Sequence, residues 1–134
     1  MLEIAANRYK KVQATISSPG QILIALYDGL FRFLRGARLC IERRELARAR
    51  EQLSRAHAIL FELQIALDHQ AAPELCGNLR ALYDFSLDRV QTARISAKVE
   101  PIDDILRVLT PLREAFAIAV AENSKQAATG TTGR

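Results

Sequence analysis

From Leu46 to Leu67 an apolar residue returns at alternating steps of three and four: Leu46, Ala49, Leu53, Ala56, Leu60, Leu63 and Leu67. That spacing keeps one narrow stripe on one side of a helix, the spacing of helices that pack lengthwise against each other. A chain with such a seam must supply helical partners for it. Three more segments do so. Leu23, Leu26, Leu30, Phe33, Ala37 and Cys40 mark a helix from about Pro19 to Ile41. Ser18 is placed to cap its first turn, and Pro19 suits the first helical position because its missing N–H has no partner there. Leu75, Leu79, Leu82, Val90 and Ala93, with Ser86 in the seam, mark a third helix. Ile102, Ile105, Leu109, Leu112, Phe116 and Ala119 mark a fourth, with Pro111 inside it as a local kink or frayed turn.

The breaks between these segments are short. Arg43-Arg44-Glu45 is the first, Asp68 to Pro73 the second, and Pro101 follows Val99-Glu100 at the third. Short connections make neighbouring helices antiparallel, so the expected fold is all-α: an antiparallel four-helix bundle with a short N-terminal helix or arm. The arm covers residues 1–16, the bundle 17–122, and the small polar residues of 123–134 form a tail expected to be disordered. A length of 134 residues fits one such domain. Gly29 falls inside the first helix, where Gly costs roughly 1 kcal/mol against Ala, so close packing there is expected to exclude a Cβ.

Several functions are excluded by what the residues lack. No apolar run approaches the ~20 residues that span a bilayer, so no membrane insertion is expected. Glu3, Asn7, Arg8, Lys10 and Lys11 break up any secretory leader, which makes the cytoplasm the expected location. Cys40 and Cys76 belong to opposite ends of such a bundle, so both are read as free thiols. His57 and His69 lack the Glu-x-x-His spacing of bundle metal sites. No paired-Cys metal spacing, glycine-rich phosphate loop or nucleophile elbow occurs either. The sequence therefore indicates no catalytic residue, no metal and no cofactor.

Two surface features remain. The net charge is +4, and Arg32, Arg35, Arg38, Arg43, Arg44, Arg48, Arg50 and Arg55 crowd the junction of the first two helices. They keep open an alternative reading, a basic helical nucleic-acid-binding or regulatory module, although Glu42, Glu45 and Glu51 are interspersed. The second feature is apolar surface left over once the seams are assigned. Phe61 and Ile65 lie one turn apart and point more than about 100° away from the seam of their helix. Tyr83 and Leu87 form a similar pair on the third helix, so the second and third helices are expected to share an apolar groove fit for a partner segment. The N-terminal arm, with Leu2, Ile4 and Tyr9, is the competing occupant of that groove. Leu26-Tyr27-Asp28 recurs as Leu82-Tyr83-Asp84. With each Leu facing the core, each Tyr is expected at its edge, hydroxyl toward water or a partner.

Tyr9, then Ser18-Pro19-Gly20, Leu26-Tyr27-Asp28-Gly29, Ala56 and Ile59 ahead of Leu63 and Leu67-Asp68, and Asn78-Leu79 with Leu82-Tyr83-Asp84 together resemble the bacterial flagellin export chaperone family, FliS. The resemblance runs in order along nearly the whole chain. It departs from the family at Ile16, where Thr is frequent, at Ala25, where Met is frequent, and at Phe116, where Trp is frequent. It implies a cytosolic bundle that binds the disordered C-terminal region of flagellin, prevents premature polymerisation and helps deliver it to the flagellar type III export gate. In this resemblance Tyr9 corresponds to a tyrosine associated with docking on the export gate protein, while the helical grooves hold the client. The partner-contacting residues expected are Tyr9, Tyr27, Phe61, Ile65, Leu79, Tyr83 and Leu87, and a homodimer is an open possibility.

Overall fold

The computed structural model describes residues 19–132, with side chains described over 19–126. The arm, Tyr9 and the Ser18 cap lie outside the described residues. The helices are α1 (Pro19–Glu42), α2 (Leu46–Ile65), α3 (Pro73–Ser96) and α4 (Glu100–Thr132). Each packs on its neighbours in sequence, and α4 closes the ring against α1, which makes the expected four-helix bundle.

Local chemistry sets each turn. After α1 the Glu45 N–H donates to the Cys40 carbonyl at 2.8 Å and the Arg44 N–H to that of Ile41 at 3.1 Å. This is a Schellman ending, with Arg44 at φ 61° in the left-handed position where Gly is usual. Between α2 and α3, Asp68 Oδ1 accepts from the Gln70 and Ala71 amides at 3.1 and 3.2 Å, and Pro73 opens the next helix. α3 ends at Ala97, also left-handed at φ 55°. α4 then starts with Glu100, Pro101 and Asp103 in its first turn, where acidic groups suit the positive end of the helix dipole.

The α2 seam is as the spacing predicts, with Ala49, Leu53, Ala56, Leu60 and Leu63 buried. Elsewhere the structure shifts it. On α1 the buried set is Tyr27, Leu30, Phe31, Leu34, Ala37 and Ile41, while Leu23, Leu26, Phe33 and Cys40 pack half-buried beside it. On α3, Cys76 is buried where Leu75 was expected, and Tyr83 takes the place expected for Leu82. Both tyrosines are therefore core residues and not edge residues. On α4, Ile102, Ile105 and Leu109 are fully buried, Leu112 and Phe116 half-buried, and Ala119 exposed. α4 runs unbroken through an exposed Pro111 and continues past Asn123 to Thr132, within the 123–134 stretch expected to be a disordered tail. Ala121, Glu122, Lys125 and Gln126 are exposed there, so this stretch of α4 adds little to the core.

Close helix approach occurs at Gly20 instead of Gly29. A Cβ on Gly20 would lie 2.5 Å from Cγ2 of Val120 on α4, inside any van der Waals contact. One on Gly29 would meet Ile59 Cδ1 at 3.4 Å, an ordinary contact. Cys40 and Cys76 are free thiols, as expected.

Candidate functional site

At the end of the bundle where α1 begins and α2 stops, the core is open. Pro19, Ile22, Leu23 and Leu26 of α1, Leu63, Ala66 and Leu67 at the end of α2, Leu79 and Tyr83 of α3, and Phe116 of α4 line a recess of about 290 Å³. Its one charged lining residue is Asp68, in the turn. Such a wall can hold apolar side chains and offers little chemistry beyond that.

Below the recess lies the buried tyrosine pair. The Tyr27 and Tyr83 hydroxyls are 2.7 Å apart, one donating and one accepting, and bridge α1 and α3 across the bundle diagonal. The Tyr27 ring meets Phe31 edge-on at 6.0 Å and tilts against Phe116 at 5.8 Å. Burial pushes the pKa of both hydroxyls up, so both stay neutral and hydrogen-bonded throughout the physiological range. With neither hydroxyl reaching the surface, Tyr27 is not positioned as a contact residue, while Leu79 and Tyr83 reach the site as lining of the recess.

Phe61 and Ile65 lie outside the core, 51 % and 68 % exposed. The Gln64 amide donates to Asp84 Oδ1 on α3, which shows that this side of α2 faces α3. On antiparallel helices that pairing sets Phe61 level with Leu87, which is half-buried against the core. Farther along the same flank of α3, Ile95 is 85 % exposed. The flank of α2 and α3 thus carries an apolar stripe made of Phe61, Ile65, Leu87 and Ile95.

A second groove was not foreseen. Gln21, Ile24, Ala25 and Asp28 of α1 face Ala117, Val120, Ala121 and Ser124 of α4 across an open channel of about 610 Å³. Toward the middle of the bundle, Asp28 is engaged by Arg113, at 2.9 and 3.2 Å. Small side chains, Ala25 on α1 and Ala117, Ala121 and Ser124 on α4, leave part of this space unfilled, a pattern that single-helix periodicity does not reveal.

The arginines at the α1–α2 junction divide into two groups. Arg38 pairs with Glu42 and Asp103, Arg48 with Glu45, and Arg55 with Glu51. Those pairs neutralise part of the cluster on which the alternative nucleic-acid reading rests. Among the described residues no group of His, Cys, Asp or Glu is arranged to hold a metal ion, and no helix is long and apolar enough to cross a membrane.

Comparison with known proteins agrees with the helical architecture. The model of the family described as flagellar protein FliS matches residues 1–123. The flagellar secretion chaperone FliS of Campylobacter jejuni is 28 % identical over 113 residues, covering 84 % of this chain and 88 % of that protein. Its Bacillus subtilis counterpart is 27 % identical over 117 residues, 87 % of this chain and 86 % of the relative. That of Salmonella typhimurium is 31 % identical over 101 residues, three-quarters of each (75 %). A crystal structure of a flagellar chaperone from bacteria superposes with a TM-score of 0.74 at 24 % identity, covering 91 % of this chain and 99 % of that one, and shares the fold.

Proposed function

The chain belongs to the FliS family of flagellar secretion chaperones, a family of binding proteins and not of enzymes, and from that premise we propose that it holds the disordered C-terminal region of flagellin in the cytoplasm. Bound there, the client segment cannot polymerise early and is presented to the flagellar export gate. The observation that carries this reading is the apolar pair Phe61 and Ile65, bare on the flank of a helix whose core seam is already complete.

Physically, a segment that assembles through amphipathic helices needs its apolar face covered, and a preformed bundle can cover it without chemistry. The stripe of Phe61, Ile65, Leu87 and Ile95 offers a long track, and the recess lined by Leu79 and Tyr83 offers a socket for one or two large side chains. Ordering the client offsets part of the contact energy, so a bound client can still leave when the export apparatus takes it. Tyr9, outside the described residues, is proposed as the contact to the gate protein.

The test is calorimetric titration with a peptide from the C-terminal region of flagellin of the same organism. A saturable one-to-one isotherm with negative heat-capacity change is expected. Phe61→Asp with Ile65→Asp should leave the melting curve unchanged and weaken binding by about tenfold or more, the loss of two half-exposed apolar contacts. Full-strength binding by that double variant sinks the assignment of the groove.

A further inference from the structure

Arg32, Arg35 and Leu39 follow one another along α1 at steps of three and four, Arg43 continues that spacing in the turn just past its end, and all four side chains are exposed. They form a stripe about 17 Å long on the side of α1 turned away from the core. The acidic groups beside it are already taken: Asp28 is bound by Arg113, and Glu42 and Asp103 by Arg38. Arg32, Arg35 and Arg43 have no carboxylate within 4.0 Å among the described residues.

Two of these cations are also held in place. The Arg32 guanidinium lies 5.5 Å from the Phe33 ring centroid, and that of Arg35 lies 5.6 Å from Phe31. Resting on aromatic faces, they lose less side-chain freedom on meeting an anion than freely moving arginines would. Leu39 sits between Arg35 and Arg43, 47 % exposed. A phosphate backbone offers that leucine nothing, whereas an acidic polypeptide can place an apolar side chain on it and carboxylates to either side.

We propose that the outer face of α1 is a second docking surface, for an acidic helical segment of another protein that sets carboxylates on Arg32, Arg35 and Arg43 and an apolar residue on Leu39. α1 packs on α2 and α4 and stands diagonally across from α3. Phe61 and Ile65 lie on the α3 side of α2, so the two surfaces point apart and can be occupied together.

The test uses fluorescence anisotropy with three labelled probes. One is an alanine-based helical peptide with glutamates flanking one leucine on a single face. A second has the same composition scrambled around the helix, and the third is a single-stranded oligonucleotide. The patterned peptide should bind tightest. Arg32→Gln with Arg35→Gln and Arg43→Gln should weaken it by about tenfold or more and flatten its salt dependence. Leu39→Ser should weaken it by about threefold or more with the salt dependence kept, since an apolar contact is not screened. The Phe61→Asp, Ile65→Asp variant should bind as the parent does. Equal binding of patterned and scrambled peptides overturns the proposal, as does an indifferent Leu39→Ser. Tightest binding to the oligonucleotide assigns the stripe to nucleic acid instead, and loss of peptide binding in the Phe61, Ile65 variant shows that the two faces are one.

Discussion

Removing a single hydroxyl from the tyrosine pair should be more damaging than removing both. Tyr27 is 0 % and Tyr83 1 % exposed, and their hydroxyls satisfy each other at 2.7 Å. Tyr83→Phe deletes the bond and strands the Tyr27 hydroxyl without water, which costs about 1–3 kcal/mol. Tyr27→Phe strands the other hydroxyl at a similar cost. The double replacement leaves two phenyl rings in nearly unchanged packing and no orphan group, so its cost falls to about 1 kcal/mol or less. The double variant should therefore be more stable than either single one, with a coupling energy of about 3 kcal/mol. In urea, with a slope of about 2 kcal/mol per molar, each single variant should lose about 1 M of midpoint and the double less than half of that. Alkaline titration gives a second reading. Burial raises the pKa of both hydroxyls in the folded state, so the folded chain holds protons that the unfolded chain releases. That contribution is complete below an unfolded pKa of about 10 and is lost as pH rises above it toward the folded values. The parent should lose stability above about pH 10 more steeply than the double variant does. Additive single costs, with the double variant twice as damaged, would mean that water already reaches the hydroxyls through the recess and would refute the reasoning.

The remaining predictions concern positions where the backbone or a charge sets the outcome. Gly20→Ala should lower the melting temperature, by about 1–2 kcal/mol of overpacking against Val120, with Val120→Ala restoring it. Gly29→Ala should instead be neutral or stabilising by up to about 1 kcal/mol, because its Cβ finds ordinary contact distance. Arg44→Gly should raise stability by about 0.5–1 kcal/mol in thermal melts, since φ 61° there strains any residue with a Cβ. The Arg38 guanidinium holds the Asp103 carboxyl below the usual carboxylate range. Its stabilisation is present above an unfolded pKa of about 3.9 and fades as pH falls below that, and solvent exposure keeps it small. Asp103→Asn should therefore lower the urea midpoint near neutral pH and flatten its acid limb, and an unchanged acid limb would show that this pair does not matter.

How much of this was legible depends on how far the deciding contact lies along the chain. The α2 seam could be read directly because its apolar positions are Leu and Ala with little competition, and Phe61 and Ile65 stood out by failing to belong to it. On α1, Leu26 and Tyr27 are adjacent and both apolar enough to face inward, so periodicity alone cannot choose between them. The choice is made by Tyr83, 56 positions away, whose hydroxyl needs a buried partner. The same pairing moves the α3 face from Leu82 to Tyr83. The α1–α4 channel was illegible for a different reason, since it depends on which residues of two helices stand at matching heights, Ala25 against Ala117, Ala121 and Ser124.

The position of the tyrosine pair links the core to the proposed client site. Helices in this bundle pack on their neighbours, so nothing in the apolar seams by themselves fixes α1 relative to α3. The Tyr27–Tyr83 bond does so, and it does it directly under a recess whose walls come from all four helices. An apolar contact tolerates sliding, whereas a buried hydrogen bond tolerates little, because a small shift leaves two polar groups unpaired in a place without water. The recess is thus held at a defined width by the fold itself, which would lower the ordering cost on the chaperone side for the client segment proposed above. Singly substituted Tyr variants should then lose client affinity out of proportion to their loss of stability, with the client peptide's dissociation rate rising first. Client affinity that is unchanged in a folded Tyr83→Phe protein would separate the tyrosine pair from the site above it.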